Sequence, residues 1–149
     1  KALEPAGIVI LITGAGGVLK QVLIDSGIGK MLAEAMSHGH LPPVLLAWLL
    51  AVAVRIAQGS STVAMITAAG IVAPMLGGVT GLTDIDRALV VIAIASGATI
   101  LSHVNDSGFW LVGKYFGLSE KQTLQSWTVM ETIIALCGLA FTLLLSWIL

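Results

Sequence analysis

Long charge-free runs, two of them broken by a short polar patch, constrain this chain more than any other feature. No Asp, Glu, Lys or Arg occurs in residues 5–19, 56–83, 88–105 or 132–149. Apolar runs on this scale read as membrane segments, because about 18 residues of helix are enough to begin crossing a bilayer. The polar patches are Gln58-Gly59-Ser60-Ser61-Thr62 and Ser102-His103-Val104-Asn105-Asp106-Ser107-Gly108. In hydrocarbon every backbone N–H and C=O needs a partner, so a helix can be interrupted only where protein or a water-filled cavity surrounds the break. Two such breaks in one short chain imply a polar solute site near the membrane midplane.

Composition agrees with a membrane setting. Hydrophobic residues make up 57% of the chain and charged residues 10%, where a soluble domain carries about 25% charge. The net charge of −1, with no basic patch interleaved with aromatics, excludes nucleic acid as a partner. The lone Cys137 permits no intrachain disulfide and is expected to be a small packing residue. No phosphate-cradling Gly-rich loop, His-Glu metal motif or nucleophile elbow is present, so neither a cofactor, a metal nor covalent catalysis is expected, and an enzyme is the least favoured reading. The first residue, Lys1, is followed almost at once by apolar sequence without a leader pattern, which suggests a fragment lacking its upstream portion.

The segments read in order as follows. Residues 5–19 form an apolar helix whose Gly14-Ala15-Gly16-Gly17 run serves close helix packing or loosens the helix beside a cavity. Residues 20–41 mix Lys20, Asp25, Lys30 and Glu34 with apolar side chains, which fits an interfacial connector. His38 and His40 there suit a solvated turn better than a metal pair. Residues 42–77 would extend about 54 Å as one helix, far beyond a hydrocarbon core of about 30 Å. The chain must turn at Gln58–Ser61, giving two arms of about 24 Å. A re-entrant hairpin is expected, with two ordinary spans and an exposed turn as the alternative. Residues 78–87 form a loop in which Thr83 or Asp84 caps the next helix. That helix is expected from Ala88 to Leu101, and a continuous helix over 88–116 would be about 43 Å long, so a broken helix is the better account. Residues 124–149 make the last transmembrane helix, with Trp127 and Trp147 about 30 Å apart as its interfacial belts. Glu131, about 6 Å deeper than Trp127, is expected to snorkel outward.

The polar constellations carry the candidate chemistry. Gly59 permits a sharp turn, and Ser60, Ser61 and Thr62 then open the returning arm. A helix start offers unpaired N–H groups and partial positive charge, which suit a carboxylate or phosphate. Simple capping by Ser60 or Ser61 needs no ligand and remains open. Arg55, one turn before the tip, requires a carboxylate, a ligand anion or access to water. In the second break, Asn105 and Ser107 can bind hydroxyls, while His103 and Asp106 can change protonation. The alternative for Asp106 is a local turn in which it satisfies only neighbouring backbone.

At these residues the chain resembles the carboxyl-terminal part of the gluconate permease family of proton symporters. The runs that carry the likeness are Ile12-Thr13-Gly14-Ala15-Gly16-Gly17, Arg55-Ile56-Ala57-Gln58-Gly59-Ser60-Ser61-Thr62 and Leu101-Ser102-His103-Val104-Asn105-Asp106-Ser107-Gly108-Phe109-Trp110. Gly117 to Thr123, followed by Ser126-Trp127-Thr128-Val129-Met130-Glu131-Thr132, is equally characteristic. The resemblance implies an all-α integral membrane fold, one half of an inverted-repeat transporter. In it 42–77 would be the second-repeat re-entrant helical hairpin and 88–116 the broken helix. It further implies a homodimer in a bacterial inner membrane and an upstream half that completes the site.

The resulting expectation is proton-coupled uptake of gluconate or a related hydroxy-carboxylate. Gln58, Gly59, Ser60, Ser61, Thr62, Asn105 and Ser107 would bind the substrate, His103 or Asp106 would carry the proton, and Arg55 would be a charge partner. Alternatives are a D-serine or other small-anion symporter, a passive channel, or a membrane scaffold. Sodium coupling stays open.

Overall fold

The computed structural model describes residues 42–77 and 81–149, together with Val18 and Asp25. The expected helix at 5–19, the connector at 20–41 and the His38/His40 turn lie outside the described residues. Among the described residues every regular element is a helix.

Helix α1 is Pro43–Gln58. Proline suits its first turn, where the missing N–H would have had no partner. It stops at Gly59, whose φ of 75° places it in the left-handed region and lets its N–H reach back to the Arg55 carbonyl at 2.8 Å. Helix α2, Ser61–Gly77, begins immediately afterwards, and the two pack against each other. At 16 and 17 residues they are about 24 and 26 Å long, each shorter than a hydrocarbon core of about 30 Å.

Helix α3 covers Asp84–Gly97, so it begins and ends four residues earlier than expected. Its start is set by a reciprocal cap: the Asp86 N–H donates to Thr83 Oγ1 at 3.1 Å, and the Thr83 N–H donates to Asp86 Oδ2 at 2.8 Å. That satisfies two of the orphan donors of a helix start. Past Gly97 the chain continues only as turns, with Leu101 at a φ of 48°. Helix α4, Ser107–Phe116, then starts under a cap from Asp106. The short helix α5, Glu120–Thr123, a π-helical turn at Leu124–Thr128 and helix α6, Val129–Ile148, follow one another without a break. Together they form a 29-residue helix, Glu120–Ile148, within which an 18-residue stretch has a mean hydropathy of 2.1. At about 43 Å it is long and apolar enough to cross a membrane.

Helix α1 is the centre of the packing, in contact with α2, α3 and α6. Its buried Ala47, Trp48, Leu50 and Ala51 meet Ala64 and Ala68 of α2, Leu89 and Ala93 of α3, and Ala135 of α6. Small residues let these helices approach closely, as membrane helices must when lipid supplies no hydrophobic drive. At Gly138 of α6, an added Cβ would lie 2.5 Å from the Ser96 Cβ of α3. Trp48 Nε1 of α1 donates to the Ala135 carbonyl of α6 at 3.3 Å. The opposite face of α6 exposes Ile133, Leu136, Phe141 and Leu144. Cys137 is exposed on that helix as well, so it is not the packing residue its setting suggested.

Candidate functional site

The end of α1 and the interruption between α3 and α4 come together in one polar cluster. A helix interruption leaves carbonyls without their usual donors, and here Arg55 supplies them. Its Nε donates to the Ile100 carbonyl at 3.2 Å and its Nη1 to the Gly59 carbonyl. Its Nη2 donates to Asp106 Oδ2 at 2.6 Å. The guanidinium is 2% exposed, so the charge is neutralised by Asp106 rather than by water. A planar fork of donors suits this task in a way that a lysine would not.

Asp106 has two jobs. Its Oδ1 accepts the Gly108 N–H at 2.9 Å and so caps α4. Its Oδ2 accepts from both Arg55 and Ser102 Oγ, the latter at 2.5 Å. The local-turn and charge-pair readings of Asp106 are therefore satisfied by different oxygens of one carboxylate. Ser102, fully buried, extends the network to the long helix. Its Oγ accepts from Trp127 Nε1 at 2.8 Å, and its carbonyl accepts from Thr128 Oγ1. Both donors belong to the π-helical turn, a feature that adds a residue to the helix and often marks functional sites.

The hairpin tip and the break also touch directly. Asn105 Nδ2 donates to the Ile56 carbonyl at 2.9 Å. A Cβ on Gly59 would sit 2.1 Å from the Asn105 carbonyl oxygen. Only glycine allows both the left-handed turn and this approach. The turn at Gln58 and Gly59 is accordingly buried against the break.

Several polar atoms in this cluster have no protein partner among the described residues. They are both amide atoms of Gln58, Asn105 Oδ1 and His103 Nδ1. Gln58 is only 5% exposed. Buried polar atoms are nearly always hydrogen-bonded, so this group marks a place where a further polar species belongs. Ser60 faces its own helix start, accepting from the Val63 N–H at 3.4 Å. Ser61 and Ser107 are half-buried and Thr62 is exposed. Of the residues singled out in the sequence, the structure thus gathers Arg55, Gln58, Gly59, His103, Asn105 and Asp106. Ser60, Ser61, Thr62 and Ser107 stand at the helix starts beside them.

Sequence reasoning missed Ser102, Trp127 and Thr128 as members of the network. Trp127 was assigned to an interfacial belt, and nothing in the sequence signals the π-helical turn that aims it inward. Glu131 was expected to snorkel, yet it shares the inward face of α6 with buried Thr128, Ala135 and Thr142, since residues three, four and seven apart fall on one side. Among the described residues no group of three His, Cys, Asp or Glu could hold a metal ion.

The model of the GntP family permease matches residues 1–148. A gluconate permease of Bacillus licheniformis is 50% identical over 145 residues, covering 97% of this chain and 32% of that protein. A gluconate permease of Pseudomonas aeruginosa is 48% identical over 149 residues, covering the whole chain and 32% of its own length. The Gnt-II system L-idonate transporter of Escherichia coli is 47% identical over 131 residues, 88% of this chain and 29% of that protein. The chain therefore spans about a third of the length of the curated relatives it matches. No solved structure matches it. With a family match over nearly its whole length, this chain belongs to the GntP permease family.

Proposed function

We propose that the protein to which this chain belongs is a secondary active transporter that takes up gluconate or a related hydroxy-carboxylate with protons. The observation that carries this reading is the buried Arg55–Asp106 pair where the hairpin tip meets the helix break, flanked by side-chain atoms of Gln58, His103 and Asn105 that have no partner among the described residues. A sugar acid has both functions this cluster asks for, an anion and a row of hydroxyls. In this reading α1 and α2 are a re-entrant hairpin in a multi-pass inner-membrane protein. The upstream half supplies an inverted counterpart, and two copies form the working dimer.

The start of α2, with Ser60, Ser61 and Thr62, receives the carboxylate through its N–H groups and hydroxyls. Gln58, Asn105 and Ser107 bind substrate hydroxyls. Asp106 or His103 takes the coupling proton. Protonating Asp106 removes the negative charge that holds Arg55, which leaves the guanidinium free to attract the incoming anion. Proton and substrate would thus bind together because each relieves a cost the other creates. The names of the relatives, gluconate permeases and an L-idonate transporter, support the sugar-acid class.

The test is uptake of labelled gluconate by the full-length protein in proteoliposomes, under an inward proton gradient without sodium. The proposal predicts accumulation that collapses with a protonophore. Equilibration without accumulation would establish a passive facilitator instead. Failure with gluconate but accumulation of D-serine or L-idonate would move the substrate within the same mechanism, and accumulation only under a sodium gradient would replace the coupling ion.

A further inference from the structure

Glu131 is the only charged residue between Lys121 and the end of the chain. A carboxylate within an apolar membrane helix is costly unless it is paired or functional. A place on the outer face would let it snorkel, but its position is the opposite. Thr128, one turn before it, donates to the Ser102 carbonyl. Ala135, one turn after it, accepts from Trp48. Glu131 therefore lies on the stripe of α6 that faces α1 and the helix break, half-buried.

The charged groups of the network on which this part of α6 packs are Arg55 of α1 and Asp106 of the break, joined to Trp127 and Thr128 through Ser102. Helix α3, also packed against α6, carries its charged residues Asp84, Asp86 and Arg87 only in its first turn. His103 is the remaining titratable group of the break. Yet Glu131 is not in direct contact with Arg55: the ion pair among the described residues is Arg55 with Asp106. The elements that meet at this seam thus carry two carboxyls and one guanidinium, and among the described residues Asp106 is the one that holds it. Two negative charges beside a single positive one in a poorly hydrated site favour a proton on one of the acids.

We propose that Glu131 is a second proton-binding residue of the transport cycle, handing its proton to Asp106 as the substrate carboxylate replaces Asp106 on Arg55. When Asp106 is ionised and holds Arg55, Glu131 carries the proton. When that proton passes to Asp106, Arg55 is free for the substrate carboxylate and Glu131 takes up one proton from the outer solution. After the substrate leaves, one proton is released inside and the Arg55–Asp106 pair forms again, so one proton crosses with each substrate. The π-helical turn just upstream carries Trp127 and Thr128, whose bonds to Ser102 fix the rotation of α6 at Glu131. This inference rests on the proton-coupled reading above.

The test uses the full-length protein in proteoliposomes, with Glu131→Gln and Glu131→Asp beside the parent. Three readouts are needed: gluconate accumulation under an inward proton gradient, proton entry followed by an internal pH dye, and gluconate counterflow without a gradient. Glu131→Gln, a fixed neutral side chain, should lose accumulation and substrate-dependent proton entry while keeping counterflow. Glu131→Asp should restore accumulation with a shifted pH profile. Accumulation and proton entry like the parent's in Glu131→Gln would overturn the proposal. So would equal loss of counterflow and accumulation in both variants at normal membrane abundance, which would make Glu131 a structural residue. A parent that transports gluconate without protons would instead overturn the coupling on which the inference rests.

Discussion

Replacing Gly59 with alanine separates two physical demands at the hairpin tip. The first is conformational: at a φ of 75° a residue with a Cβ is strained by about 1–2 kcal/mol. The second is steric. The new Cβ would lie 2.1 Å from the Asn105 carbonyl oxygen and 2.5 Å from its carbonyl carbon, more than an ångström inside ordinary contact. Those are backbone atoms, so a side-chain rotation cannot relieve the clash. Forcing the tip from the break adds about 1–3 kcal/mol of overpacking strain, and the Asn105 bond to the Ile56 carbonyl is the first to lengthen.

Gly117→Ala supplies the control. Gly117 has a φ of 67° but no atom within 4 Å of an added Cβ, so it carries only the conformational cost. Unfolding of the full-length protein by SDS titration should show Gly117→Ala destabilised by about 1–2 kcal/mol, and Gly59→Ala by about 2–5 kcal/mol. Gly59→Ala should also lose uptake, because the displaced break no longer aligns Asp106 with Arg55. Equal destabilisation of the two variants, or normal uptake by Gly59→Ala, would refute the close approach of tip and break.

Other consequences follow from the same geometry. Removing one partner of the buried Arg55–Asp106 pair, by Arg55→Gln or Asp106→Asn, should each cost about 3–5 kcal/mol. The double variant should cost less than the sum of the two in the same SDS titration, and additive losses would mean the pair is not coupled. Asp106→Asn should also abolish proton-driven accumulation while membrane insertion persists; unchanged accumulation would remove Asp106 from the coupling step. Gly138→Ala should destabilise by about 1–3 kcal/mol through its contact with Ser96, and Ser96→Gly in the same chain should recover part of that loss. No recovery would place the cost elsewhere than the α3–α6 seam.

The end of α1 at Gly59 was legible in the sequence because a polar patch in an apolar run has few places to go and glycine suits a left-handed turn, whereas the end of α3 at Gly97 was not, since the apolar run continues to Leu101. The capping role of Thr83 was legible too, but its effect on where α3 starts was underestimated because Asp84, Asp86 and Arg87 read as loop. What the sequence could not show is who meets whom. Arg55 and Asp106 are 51 residues apart, and only the packing of α1 against α3 brings them together. Ser102 looks like one more small residue until its hydroxyl is seen between Asp106 and Trp127. Spacing and depth along the helix make Trp127 an interfacial belt and Glu131 a snorkelling residue, but they carry no sign of the π-helical turn that sets Trp127 on Ser102 and Glu131 on the same side of α6 as Thr128. Cys137 failed in the other direction, since an apolar helix says nothing about which of its faces meets protein.

The central claim is that the hairpin tip and the helix break line one substrate site. The most direct measurement is the reactivity of a cysteine placed at the tip, Ser60→Cys, in the full-length protein with Cys137 and any other cysteine replaced. A water-soluble thiol reagent should label this position, and saturating gluconate should slow the labelling while an unrelated neutral sugar leaves it unchanged. Labelling at the same rate with and without gluconate, in a variant that still transports it, would contradict the claim.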